Sequence, residues 1–230
     1  MNITLERARS PAYPTLSPRS QDILRVIAIG SMVMDHINRV LLENHFEVFT
    51  WAGRLAFPLF ALLIAHNLIE RRVNWKRYVV PLLIAGIAAQ LQFAVVINPN
   101  LNVMFTLLFG VLCQPFGDWL ERLTGKGGGM FAWILLSAVG LAMDFPLFGV
   151  WMIPLASILV RRKDWLSWIP FLVFCQITNI FDVHAAITLA LPLIVFAVAK
   201  LEGARFNVPR VAWYAFYPVH LFILSVLKHL

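Results

Sequence analysis

Charge is scarce in this chain. Asp, Glu, Lys and Arg make up 13% of its 230 residues, against about 25% in a soluble domain. No polar stretch between the apolar runs is long enough to fold separately, which excludes a soluble enzyme with an accessory domain. Cysteine is rarer still. Cys113 and Cys175 both fall inside apolar runs, which excludes a disulfide framework and a cysteine metal site, and no other metal-ligand spacing is present. Residues 1–21 are polar, carry Pro11, Pro14 and Pro18, and lack an apolar h-region. No cleavable signal peptide is expected, so the first apolar run acts as its own insertion signal. No internal repeat relates the two halves. The glycines at 125 and 127–129, interrupted by Lys126, do not fit a phosphate-binding G-x-x-x-x-G-K-[ST] loop and read as a linker. The net charge of +7 has no nucleic-acid motif behind it, and Lys and Arg collect in the cytoplasmic loops of membrane proteins whatever their function.

What is present is apolar length. Hydrophobic residues make up 60% of the chain. They form nine runs, over 22–42, 49–69, 78–97, 101–120, 130–145, 147–160, 165–181, 184–200 and 211–229. Most approach the roughly 20 residues that span a bilayer. The fifth and sixth are short, share a turn at Asp144, Phe145 and Pro146, and read as tilted helices or a re-entrant pair. The loops alternate in charge. One set holds Arg7, Arg9 and Arg19; Arg71, Arg72, Lys76 and Arg77; Arg122 and Lys126; Arg161, Arg162 and Lys163; and Lys200, Arg205 and Arg210. The other set, near Asn44, Asn98, Asp144 and Asp182, holds no Lys or Arg. By the positive-inside rule the N-terminus is cytoplasmic and, after nine crossings, the C-terminus is outside. The expected fold is all-α: a polytopic integral-membrane helical bundle over 22–230, preceded by a polar cytoplasmic arm over 1–21.

Against that background the ionisable residues inside the runs stand out. Asp35, His36 and Arg39 interrupt the first, and Arg54 the second. Each charge near a membrane-helix centre costs about 2.5–3.5 kcal/mol on insertion scales, so such groups face partners, cavities or substrate paths. At 1.5 Å per residue, His36 and Arg54 each lie roughly 8–9 Å below the outer surface. Neighbouring helices usually pack together, so Asp35, His36 and Arg54 are expected to meet. The purely structural alternative is an Asp35–Arg54 ion pair that fixes packing. Gln90, Gln92, Thr106, Gln176 and Asn179 share that depth, His220 lies nearer the midplane, and His66 reads as interfacial. Together they suggest a polar cavity open to the outside, flanked by bends at Pro58 and Pro218.

Certain of these residues also carry a resemblance. MDH at 34–36, GRLAFPLFALL at 53–63, a basic loop, FTLLFG at 105–110 and FYPVHL at 216–221 resemble the TraX family, over about residue 20 to the end. That resemblance implies a multi-pass protein of the bacterial inner membrane that acetylates the N-terminal amine of conjugative pilin, with acetyl-CoA as donor and relatedness to integral-membrane acyltransferases. Acyl transfer requires a base and stabilisation of a tetrahedral oxyanion. His36 is the expected base and Arg54 the oxyanion or orienting group. Asp35 points about 100° away from its neighbour His36 on a helix, and so holds Arg54 or binds the substrate's ammonium. His220 is either a second acid or base or a core histidine. Arg71, Arg72, Lys76 and Arg77 are candidates for the CoA phosphates, or they are topology signals only. Because CoA is cytoplasmic and the polar cluster lies outward, the acetyl group must travel roughly 20 Å, through a tunnel or by an acetyl-enzyme relay. The competing readings are a transporter or channel using the same intramembrane groups, and an O-acyltransferase acting on a glycan or lipid.

Overall fold

A computed structural model describes residues 12–179 and 182–230. Arg7 and Arg9 of the arm, and the end of the seventh run at Phe181, lie outside the described residues. Within them the chain forms ten α-helices and no strand: α1 (Pro18–Val40), α2 (Glu47–Gly53), α3 (Ala56–Ile69), α4 (Lys76–Val96), α5 (Val103–Thr124), α6 (Gly128–Gly140), α7 (Met152–Arg162), α8 (Trp168–Ile177), α9 (Leu191–Ala199) and α10 (Arg210–Lys228). Short 3-10 turns lead into α7, α8 and α9. All nine apolar runs are thus helical, and the second is split in two.

The first helix starts earlier than hydropathy indicates because its cap is local. The Ser17 side chain accepts a hydrogen bond from Ser20 N–H at 3.0 Å, and Pro18 takes the first helical position, where its missing N–H costs nothing. Residues 12–17 do not behave as a polar arm. Ala12, Tyr13 and Leu16 are buried, Ala12 N–H donates to the Lys163 carbonyl at 2.8 Å, and Trp168 Nε1–H donates to the Ala12 carbonyl at 2.6 Å. This strap also covers His66, which is 2% exposed and lies 3.1 Å from Gln21 Nε2. His66 is therefore a core residue and not an interfacial one.

The split in the second run falls at Arg54 and Leu55. Their amides bond three residues back, to Trp51 and Ala52 at 3.2 and 3.1 Å, which tightens the turn. Pro58 has no N–H to offer the Arg54 carbonyl, so the α-helical ladder has no partner for it there. Irregular backbone also joins α6 to α7. Leu101 N–H donates to the Ala142 carbonyl and Asp144 N–H to the Leu101 carbonyl, both at 2.8 Å. The fifth run therefore passes back along α5 as far as that helix's start, and the chain does not turn round half way. The nonhelical stretch that follows borders a cavity, the setting in which such backbone is tolerated at depth.

The basic loops gather at one end of the bundle. Lys163 Nζ pairs with Glu70 at 2.9 Å, Ser20 Oγ donates to the Leu201 carbonyl at 3.0 Å, and Phe206 N–H donates to Asp22 at 2.9 Å. The Lys- and Arg-free loops meet at the other end, where Asn98 donates to Asp144 at 2.8 Å and Arg54 pairs with Asp182. Among the described residues, four stretches are long and apolar enough to cross a membrane: Glu47–Ile69, Lys76–Val96, Val103–Thr124 and Arg210–Lys228. The outer face of α4 exposes Val80, Ile84, Ile87, Leu91 and Val95, a patch whose continuity suits lipid and not water. α1 has the length but carries a polar stripe.

Candidate functional site

That stripe organises the site. Asp22, Arg25, Ile29, Met32, His36 and Arg39 recur three or four residues apart on α1, the spacing that lines one helix face. Phe57, Phe60, Ile64 and Asn67 on α3, followed by Arg71, do the same. Two cavities lie along the groove between these faces. One, of about 760 Å³, opens at the basic end and includes Asp22, Arg25, Arg71, Arg77, Arg205 and Arg210 among apolar walls. The other, of about 290 Å³, is bordered by Asp35, His36, Arg39, Arg54, Asn98 and Asp144, with Thr178 and Asn179. Met32 and Phe60 line both. The two cavities share an apolar waist.

His36 and His220 meet beside the waist. His36 Nδ1 lies 2.8 Å from His220 Nε2, and both residues are buried. The tautomers follow from the next bond along. His220 Nδ1 lies 3.0 Å from the Phe216 carbonyl, which can only accept, so Nδ1 carries the proton and neutral His220 offers Nε2 as acceptor. His36 must then donate from Nδ1, which leaves its Nε2 as an unprotonated acceptor. Stacking on Phe216, with centroids 5.3 Å apart, holds the His220 ring. His220 is the orienting partner of His36, a role sequence spacing could not assign because 184 residues separate them.

The expected Asp35–Arg54 pair does not form. Asp35 Oδ2 accepts from Arg39 Nε at 2.8 Å, one helical turn on, and its Oδ1 is buried without a partner. Arg54 pairs instead with Asp182. The other oxygen of that carboxylate accepts from His184 N–H at 2.9 Å and lies 2.6 Å from His184 Nδ1. Burial pushes the Asp182 carboxyl up, but the His184 hydrogen bonds and the Arg54 guanidinium together outweigh it and hold the carboxyl below the usual range. Asp35, His36 and Arg54 do share one cavity. Gly53 makes that possible, because its hydrogen faces Asp35 where any side chain would collide. Of the other polar residues expected there, only Asn179 lines it. Gln90 is taken up by the Asn100 and Asn102 backbone, Gln176 by Thr188 and Ala185, and Thr106 and Gln92 each keep a buried unpartnered oxygen.

Among the candidate phosphate-binding residues, Arg71 and Arg77 line the larger cavity, whereas Arg72 and Lys76 do not. Sequence reasoning passed over Arg25 and gave Arg205 and Arg210 only a topological role. Asp22 partly neutralises this group, at 2.5 Å from Arg25 and 3.8 Å from Arg205. Among the described residues, Arg71, Arg77 and Arg210 have no ion pair. Burial first, and the neighbouring Arg205 next, push the Arg71 guanidinium below its ordinary value. Such crowding of cations is relieved by an anion.

Comparison with known proteins places the chain. A family model described as TraX protein matches residues 20–228. The chain is similar to Protein TraX of Escherichia coli, at 30% identity over 224 residues covering 92% of this chain and 88% of the relative. It is similar at 29% over 225 residues to Protein TraX of Escherichia coli strain K12, with the same coverage. A Dichelobacter nodosus protein named "Probable fimbrial assembly protein FimC, serogroup H1" is 28% identical over 234 residues, covering 89% of this chain and 94% of that one. No solved structure matches this chain.

Proposed function

Because this chain belongs to the TraX family, we propose that it is a membrane-bound acetyltransferase that draws acetyl-CoA from the cytoplasm and acetylates an amine presented at the outer face. The observation that carries the reading is the pair of cavities that adjoin at Met32 and Phe60, with the His36–His220 pair beside them. The arginine-ringed cavity takes the phosphates of CoA, with Arg71, Arg77, Arg25 and Arg210 as counter-charges, at the end that loop charge places in the cytoplasm. Eleven residues separate Arg25 from His36 on α1, about 16 Å. The slender pantetheine arm lies along that distance and brings its thioester to the waist. This supports direct transfer through a tunnel over an acetyl-enzyme relay, and it suits nine crossings with the N-terminus inside.

In the proposed step the neutral amine attacks the thioester carbonyl from the smaller cavity. The nitrogen–carbon bond forms, and the carbonyl oxygen becomes an oxyanion facing Arg54. His36 Nε2 accepts the proton that the nitrogen sheds. As the carbon–sulfur bond breaks, the electron pair leaves with sulfur, and the His36 imidazolium returns the proton to it. The products are the acetamide and CoA thiol. His220 holds the His36 ring and accepts from its Nδ1–H throughout, as the third member of a triad does. The acceptor is most naturally a pilin-type subunit, supported by the relative named for fimbrial assembly.

Single-turnover transfer of labelled acetyl from acetyl-CoA tests this reading. Folded, membrane-inserted His36→Ala should lose at least about 10²-fold in rate, the lower bound for a positioned general base. Near-wild-type transfer by that variant would remove His36 from the mechanism. A transporter is the second reading, favoured by the broken α2–α3 segment at the smaller cavity. Solute flux by reconstituted protein without acetyl transfer would select it.

A further inference from the structure

Resting on the acyltransferase reading above, we propose that Asp144 is the acceptor anchor: its carboxylate binds the ammonium end of a primary amine and makes the smaller cavity selective for amines over neutral hydroxyls. Arg39 is matched by Asp35 at 2.8 Å, and Arg54 by Asp182. Asp144 also borders the cavity, but among the described residues it forms no salt bridge. One of its oxygens accepts from Asn98 Nδ2 at 2.8 Å, and the other accepts no hydrogen bond. Of the two carboxyls that line the cavity, Asp35 and Asp144, only Asp144 lacks an ion-pair partner among the described residues, a lack that a bound cation would make good.

A second observation points the same way. The second oxygen of Asp144, on the turn after α6, and the free Nε2 of His36, on α1, are two unfilled acceptors on residues that line one cavity. An ammonium has three donors and no acceptor, whereas a hydroxyl has one donor. A pair of acceptors, one of them on a carboxyl with no ion-pair partner, suits the first. Once an ammonium is seated, loss of one proton leaves the neutral amine next to the base. The sequence marked Asp144 only as a turn residue, because nothing local shows that residues 141–148 fold back against the start of α5.

The test uses purified full-length protein in detergent micelles and three probes: alanyl-phenylalanine amide, its N-acetyl form, and the analogue with hydroxyl in place of the amine. Calorimetry without any donor should show the free amine binding at least about tenfold tighter than either neutral probe, the range of a hydrogen bond to a charged group. Asp144→Asn should abolish that preference. Asparagine keeps a carbonyl oxygen for Asn98, so the turn stays anchored. Equal affinity of the wild type for the three probes, or no binding of the free amine, overturns the proposal. So does a preference that survives in Asp144→Asn. Because the readout requires no acetyl transfer, an inactive protein that still prefers the amine would sink the acyltransferase reading and leave Asp144 as an ammonium site.

Discussion

Gly53→Ala puts the packing of the site to a direct test. An added Cβ would collide with Asp35 Cβ and lie 2.7 and 2.8 Å from Asp35 Cγ and Oδ1. Asp35 is a short side chain fixed close to the α1 backbone, and its carboxylate is held by Arg39 at 2.8 Å. It cannot swing aside as a long side chain would, so α1 and α2 must separate. Overpacking of this kind costs about 1–3 kcal/mol. The gain from replacing a helical glycine by alanine is about 0.5–1 kcal/mol, and it is smaller at the last residue of α2. The sum is a loss of roughly 1–2 kcal/mol, which for a chain of this length lowers Tm by about 2–8 °C. Gly30→Ala is the matched control. It lies in the same α1, nothing lies within 4 Å of the added Cβ, and it should stabilise by about 0.5–1 kcal/mol. Thermal unfolding of both variants in one detergent compares them. A Gly53→Ala protein as stable as Gly30→Ala would refute the packing argument, and with it the claim that glycine is what lets Arg54 and Asp35 share a cavity.

Other outcomes follow from the same geometry. His220→Phe leaves the His36 Nδ1–H without its acceptor and should lower kcat at least about tenfold with little change in KM, whereas loss of KM alone would make His220 a binding residue. Arg210→Gln and Arg77→Gln should raise the KM for acetyl-CoA, while Lys76→Gln, outside the cavity, should not; equal effects of all three would return the basic loops to a topological role. Asp182 is held below its unfolded value near 3.9, so its contribution is complete above that pH and is lost only as pH falls through the lower folded value. Wild type should accordingly be more stable than Asp182→Asn between pH 5 and 8 by a constant margin that closes below about pH 4, and a margin that already shrinks between pH 7 and 5 would contradict it. Cysteines placed at Asn44 and Asn98 should react with an impermeant thiol reagent on whole cells and one at Lys163 should not; the reverse would invert the bundle.

Much of the fold was legible because hydropathy reports on environment residue by residue. The nine runs reappear as helical segments, and the alternation of loop charge reappears as two distinct ends. What escaped was decided by single contacts. Apolarity continues unbroken through 49–69, and the split at Arg54 depends on a proline four residues later and on the contact between Gly53 and Asp35. The membership of the cavity was legible for Asp35, His36 and Arg54, since burying charge is costly wherever it happens. The partners of Arg54 and His36 were not, because Asp182 and His220 arrive from segments more than a hundred residues away. Arg25 was missed for another reason. It sits on the polar stripe of α1 beside Asp22, where an i, i+3 pair looks like ordinary surface electrostatics until the 760 Å³ cavity behind it is seen.

The waist at Met32 and Phe60 also bears on the membrane that houses the protein. Open room extends along the α1–α3 groove on either side of it, and a membrane that keeps two compartments apart cannot contain a wetted passage from face to face. An apolar constriction resists wetting, and methionine's pliable thioether can give way to a slender chain and close again behind it. On the proposed reading, the two side chains that admit an acyl arm would also close the passage behind it. Hollowing out Phe60 should then make any membrane that holds the protein leak ions, and ion efflux from vesicles carrying the variant would register it.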